Sequence, residues 1–421
     1  MSQESPLTGE VDRSKKPPWW LFALSGIGTQ FLLMVNGVIA ARMLGVDGRG
    51  QVVMVAILAA MASQLTLGGS LPNAITRQLA DRGVTARDGL HGMLARWTLW
   101  GLLAAAVAGG YLAWLERDGS RTTAWLLALL TVVSALQAMA SRILMGAMLG
   151  EGTNLTHVAL TGVLPQVVVV VVVGGAFAVG IRWNAVELLT VTVVSTGLVL
   201  LARLKVLAAP TRRPEDRLDR IELARLARRT HIGSVGPIDG LAIDRVLVGS
   251  LLGSYALGLY SAAFALGGLT SIFGACLAMV ALPQITKAQK ELATEPAAVR
   301  SWLVLSVLLI GAVVLVLEVG TGLIIRLTFG EPFLPATEVS RWLIAASGLL
   351  GLRRVLISVL QARDRGGLPS LVELALTPVV VLGILVAAHQ DSLVAVGVTM
   401  TVVGALACGV LGVAVARSRP A

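Results

Sequence analysis

The chain has 421 residues, 56% hydrophobic and only 14% charged, with a mean hydropathy of +0.81. A soluble domain of this size has no interior large enough for so much apolar surface; lipid has. The formal charge of +10 does not mark a nucleic-acid binder, because nearly all the charges fall in short gaps between long apolar runs.

Residues 1–18 form a polar cytoplasmic tail carrying Arg13, Lys15 and Lys16. The apolar stretch behind it, 19–41, is longer than the roughly 7–15 residues of a secretory signal core, so it is expected to stay as a first spanning helix. At about 20 apolar residues per crossing, the sequence predicts twelve spans. They run over 19–41, 51–73, 93–115, 124–149, 157–180, 186–207, 230–252, 257–282, 302–324, 337–361, 368–388 and 393–416. All nine tryptophans fall at or near span ends, where amphipathic rings sit in a bilayer.

Lys and Arg set the orientation. Only Arg42, Arg49, Arg117, Arg121, Arg182, Arg245, Arg326 and Arg341 lie on one side; the other 26 of 34 lie on the side of the N-terminus. The positive-inside rule then predicts a multi-pass protein of the cytoplasmic membrane with both termini inside. The expected division is a six-helix bundle over 19–208, a basic amphipathic linker over 209–229, a second six-helix bundle over 230–416 and a tail at 417–421. The amphipathic run 218–227 in the linker is expected to lie along the inner surface near anionic headgroups.

In the first span, Ser25, Thr29 and Asn36 share one helical face. Ser63, Thr66, Ser70 and Asn73 form a similar stripe in the second, with Gln64 beside it. Such stripes line a cavity or pack helix on helix. Arg77 and Arg142 near the inner ends of spans two and four, and Arg42 near the outer end of span one, suit either a diphosphate or snorkelling to headgroups.

The second half repeats the first. Leu44-Gly45, four residues, then Gly50 recurs as Leu252-Gly253, four residues, then Gly258. The segment 71–77 recurs loosely at 282–287, and Arg142 with Pro165 is echoed by Arg354 with Pro378. The offsets run from 208 to 213. Two halves with six spans each enter the membrane the same way up, which implies a two-fold axis along the membrane normal and a cavity between them. Rocking about such a cavity is the physical basis of alternating access.

The seventh span is the least lipid-compatible. It holds Asp239, Asp244 and Arg245 with Gly236, Pro237 and Gly240, so the sequence predicts a hinged, cavity-lining helix. Charges within the hydrocarbon cost about 2.5–3.5 kcal/mol on insertion scales and therefore face a cavity or a partner. Away from the span ends, Glu318 and Glu373 are the other acids within spans. The histidines are scattered, the two cysteines are far apart, and no phosphate-binding loop occurs; neither a metal site nor a cofactor nor catalysis is expected.

The segment 41–50, Ala-Arg-Met-Leu-Gly-Val-Asp-Gly-Arg-Gly, resembles the Ala-Arg-x-Leu-Gly-x-x-x-x-Gly signature of polysaccharide flippases. These are lipid-linked oligosaccharide exporters of the multidrug/oligosaccharidyl-lipid/polysaccharide (MOP) superfamily. Asp244-Arg245, Gly258-Leu259-Tyr260, the run 329–333 and Leu360-Gln361-Ala362-Arg363 follow in that family's order. The resemblance covers about residues 19–416. It implies an all-α, V-shaped MOP/MATE-like membrane fold with a partly cationic central cavity. It also implies an undecaprenyl-diphosphate-linked sugar flipped from the inner to the outer leaflet, with membrane lipids around a monomer. A polysaccharide polymerase and glycosyltransferases would then be partners. Arg42, Arg77 and Arg245 are the nearest matches to the family's intracavity arginines. The alternative is a cation-coupled multidrug exporter of the same superfamily, with Asp239 or Glu318 holding the coupling ion.

Overall fold

A computed structural model describes residues 19–418, apart from 69, 83–85, 152–154, 207–221, 228–230, 232–235, 239, 290–294, 364 and 366. The expected N-terminal tail, most of the linker and Asp239 lie outside the described residues. The rest is helical. The first half comprises α1 (Trp19–Ser63), a π-helical turn (Gln64–Gly68), α2 (Leu71–Arg82), α3 (Ala86–Leu115), α4 (Arg121–Glu151), α5 (Leu155–Ala178) and α6 (Ala185–Val206). The second comprises α7 (Ile243–Gln289), α8 (Glu295–Thr328), a 3-10 turn (Glu331–Ala336), α9 (Thr337–Ala362), α10 (Leu368–His389) and α11 (Leu393–Arg417).

Ten helical segments among the described residues are long and apolar enough to cross a membrane. Two are far too long for one crossing: α1 has 45 residues and α7 has 47. Each is broken once, at Gly45 (φ 70°, ψ −167°) and at Gly253 (φ 86°, ψ 177°). That backbone region is open essentially only to glycine. The two breaks therefore sit at equivalent glycines of the sequence repeat, and each turns one long helix into two limbs.

Within the expected seventh span, residues 236–238 and 240–242 are non-helical, with Gly240 N and Leu241 N both bonded to the Gly236 carbonyl and Ala242 at φ 51°. Helix α7 begins at Ile243. Pro237 lacks a backbone donor and the flanking glycines carry the largest backbone entropy, so a continuous helix is disfavoured here.

Among the described residues the two halves share one large core. A large core containing Val46, Met54 and Val55 of α1 with Leu257 and Tyr260 of α7 and Phe333 spans both halves at the end bearing the two breaks. A second core, built from α2, α4, α5 and α6, belongs to the first half alone. The third, from α7 to α11, belongs to the second half alone. A V results, closed at the Gly45/Gly253 end. Leu223 and Ala227, in a short helical stretch at 222–227, are fully buried in the first half's own core. This described part of the linker packs Leu223 and Ala227 against the first half.

Candidate functional site

At the closed end the two breaks face each other. A Cβ on Gly50 would lie 1.9 Å from the Ser254 carbonyl oxygen, and one on Gly258 would lie 2.0 Å from the Val46 carbonyl oxygen. Positions 46 and 254, and 50 and 258, are equivalent in the repeat, so the contact is reciprocal: each half meets the other through the same patch, as in an isologous interface. No residue larger than glycine fits either place while the end is closed.

Polar groups lock this seam. Arg49 is 5% exposed. Its guanidinium donates to Ser261 Oγ (2.9 Å) and the Ser261 carbonyl (3.2 Å) in the second half, and to the Gly37 carbonyl (2.8 Å) across the break in α1. Its carbon lies 4.5 Å from the Phe329 ring centre and 5.8 Å from that of Phe333. Carbonyl dipoles and ring faces thus take the place of a carboxylate. Arg42 donates to the Thr328 carbonyl (2.7 Å) and the Leu327 carbonyl, the unpaired C-terminal acceptors of α8. Ser254 Oγ donates to Asp47 (3.1 Å), and Tyr111 OH to Ser250 Oγ (2.6 Å).

Two clefts flank the seam, related by the repeat. The smaller, about 250 Å³, lies between Glu116, Asp118 and Gly119 of the first half and Ser250, Gly253 and Ser254 of the second. Burial, opposed by a hydrogen bond from Gln51 and aided by the charge of Asp47, pushes the Glu116 carboxyl above its usual range. The larger, about 690 Å³, lies between Arg42 and Gly45 of the first half and Arg326, Gly330 and Glu331 of the second.

The acids expected within spans are occupied where they are described. Asp244 is 2% exposed and accepts from Tyr260 OH at 2.9 Å, joining the two limbs of α7. Arg245 lies 4.0 Å from Asp244 and 4.3 Å from the Phe264 ring centre. Glu373, 6% exposed, accepts from Arg353 at 2.5 Å and from the Ile238 backbone N–H at 2.9 Å. The non-helical turn holding Gly236, Pro237 and Gly240 is thereby pinned to α9 and α10. Glu318 is half-buried on α8 within electrostatic reach of Arg341.

The remaining expected residues lie apart from the seam. Asn36 donates to Gln166 Oε1 at 2.8 Å, tying α1 to α5. Gln64 sits half-buried in the π-helical turn, its Oε1 buried without a hydrogen bond. Asn73 and Arg77 are exposed on α2. Arg142 is half-buried on α4 with no hydrogen-bond partner among the described residues, whereas its repeat equivalent Arg354 donates to the Ser271 carbonyl at 3.1 Å. The structure gathers Arg42 into the seam and leaves the others distributed. The sequence motifs 41–50 and 329–333 contain Arg49, Phe329 and Phe333 without giving any of them a site role, and Ser261 was not singled out.

No protein-family model matches the chain, and no curated protein does. Solved structures do. An inward-facing multidrug resistance MATE family transporter of the MOP superfamily matches with TM-score 0.72 and 15% identity, over 92% of this chain and 94% of that one. The lipid II flippase MurJ in an inward closed conformation matches with TM-score 0.72 and 14% identity, over 94% of this chain and 87% of that one. A Vibrio cholerae MATE transporter matches with TM-score 0.57 and 15% identity over 95% of both chains. The fold is like that of these MOP-superfamily transporters.

Proposed function

We propose that the chain is a transporter that works by alternating access, its two halves parting at the Gly45/Gly253 seam as they close at the other end. The observation carrying this is the reciprocal glycine contact. The seam is a dry, close-packed joint held by side chains, not by a continuous backbone, so it can open as a unit. With the termini in the cytoplasm, the closed end faces outward.

For the cargo, the structural likenesses lean towards export of small organic molecules, since two of the three solved structures named above are MATE transporters. The charge pattern favours the lipid-linked sugar. Asp244 and Glu373 are bound by Tyr260 and Arg353, so neither of these two buried acids is set out for an organic cation or a coupling ion. Arg142 is a cation without a hydrogen-bond partner among the described residues, suited to a diphosphate. Proteoliposomes holding the full chain separate the two. Translocation of a polyprenyl-diphosphate-linked oligosaccharide, reduced in Arg142→Gln, supports the flippase. Gradient-driven efflux of organic cations, lost in Glu318→Gln, supports the exporter. Movement of neither class overturns the transporter reading.

A further inference from the structure

The two clefts beside the seam occupy equivalent places in the repeat, so packing alone would give them like chemistry. They have opposite chemistry. Arg42 corresponds at the offset of 208 to Ser250, and Arg326 at 211 to Leu115. No basic residue lines the smaller cleft, which presents Glu116 and Asp118 instead. The arginines are therefore not a requirement of the joint.

The larger cleft also opens onto lipid. On α8 the exposed apolar residues Val316 (68%), Val319 (83%), Leu323 (64%) and Leu327 (64%) form one stripe along the helix. It is the kind of face that a spanning helix turns to acyl chains. Leu323 and Leu327, with Phe177 from the end of α5, line the cleft itself. The stripe thus leads straight to Arg42 and Arg326. A groove that is apolar below and cationic at the top matches a lipid whose headgroup is an anion.

Its cations are available to such a ligand. Arg326 is paired with Glu331 at 3.0 Å, but both side chains are more than 60% exposed. Exposed pairs are worth about 0–1 kcal/mol, so a phosphate displaces the carboxylate at small cost. Arg42 spends two donors on the C-terminal carbonyls of α8, and a guanidinium has five.

We propose that this cleft is a binding site for an anionic phospholipid of the bilayer, its phosphate between Arg42 and Arg326 and one acyl chain along the exposed stripe of α8. It is distinct from the central cavity and holds whichever cargo is carried. A lipid seated there bridges α1 and α8 and so reports on, and favours, the closed seam.

The test is native mass spectrometry of the purified full chain titrated with phosphatidylglycerol, with phosphatidylcholine and inorganic phosphate as separate arms. Wild type should retain one phosphatidylglycerol in preference to phosphatidylcholine. Each of Arg42→Gln and Arg326→Gln should weaken that binding about fivefold, the effect of one charge near a membrane surface. Glu331→Gln should strengthen it, and Glu116→Gln in the opposite cleft should leave it unchanged. Arg326→Gln touches only an exposed pair, so it keeps the test decisive if Arg42→Gln fails to fold. Undiminished phosphatidylglycerol binding in Arg326→Gln, equal binding of phosphatidylcholine, or competition by inorganic phosphate at the same concentration would overturn the proposal.

Discussion

Arg49 of α1 and Ser261 of α7 join the two halves through two hydrogen bonds, 2.9 Å to the hydroxyl and 3.2 Å to the carbonyl. The same guanidinium spans the break in α1 by donating to Gly37. One side chain therefore fixes both the fold of a half and its contact with the other half.

Replacing Arg49 should open the seam. Arg49→Met keeps much of the volume over Phe329 and Phe333 but strands the buried acceptors of Ser261 and Gly37. Hydrogen bonds to a charged group contribute about 1.5–3 kcal/mol each, so the closed state should lose roughly 2–4 kcal/mol. Accessibility of a cysteine placed at buried Ala262, in a Cys276→Ser/Cys408→Ser background, to a membrane-impermeant maleimide, compared with and without Arg49→Met, reads the shift. Equal labelling would show that Arg49 does not hold the seam.

The glycine contact makes a paired prediction. Gly50→Ala and Gly258→Ala each drive a methyl into a carbonyl of the opposite half, at 1.9 and 2.0 Å before relaxation. Overpacking of this kind costs about 1–3 kcal/mol. Because the contact is reciprocal, both substitutions should bias the protein to the same open state and to a similar extent, as measured by spin-label distances across the seam. Opposite effects would break the two-fold relation. Unchanged distances in both would show that the glycine contact does not set how closely the halves meet.

Glu373 and Arg353 should behave as a structural pair. Removing one partner of a buried ion pair costs about 3–5 kcal/mol, while replacing both by apolar residues is often neutral. Glu373→Met and Arg353→Met are each expected to lower thermal stability sharply, and the double variant to recover most of it. A double variant as unstable as the singles, or one that is stable but inactive with every tested cargo, would assign the pair a role beyond pinning the backbone at Ile238.

Much of this was readable from residues alone, for a physical reason. A bilayer imposes a run length, an interface and a charge bias, and each leaves a local mark on the sequence: the apolar runs, the tryptophans and the distribution of Lys and Arg. The repeat of Leu-Gly-x4-Gly marked where the chain breaks, since the backbone at Gly45 and Gly253 is closed to other residues. In the seventh span the glycines and Pro237 marked an irregularity, but length and hydropathy do not register that Glu373, 135 positions from Ile238, bonds its backbone. Arg49 was hidden for a similar reason. Next to a span end it looks like an interfacial charge, and its partners Ser261, Phe329 and Phe333 become neighbours only when the two halves meet. Asn36, Gln64, Asn73, Arg77 and Arg142 carry no signal that separates lining a cavity from packing between helices, and that assignment still rests on transport measurements.

The most direct measurement is a reversible lock. In a Cys276→Ser/Cys408→Ser background, Asp47→Cys and Ser254→Cys replace two side chains that already touch across the seam at 3.1 Å. If the halves must part there, oxidation to the disulfide should abolish transport in proteoliposomes, and reduction should restore it. Full transport with the disulfide quantitatively formed would contradict the account, because the seam would then never need to open.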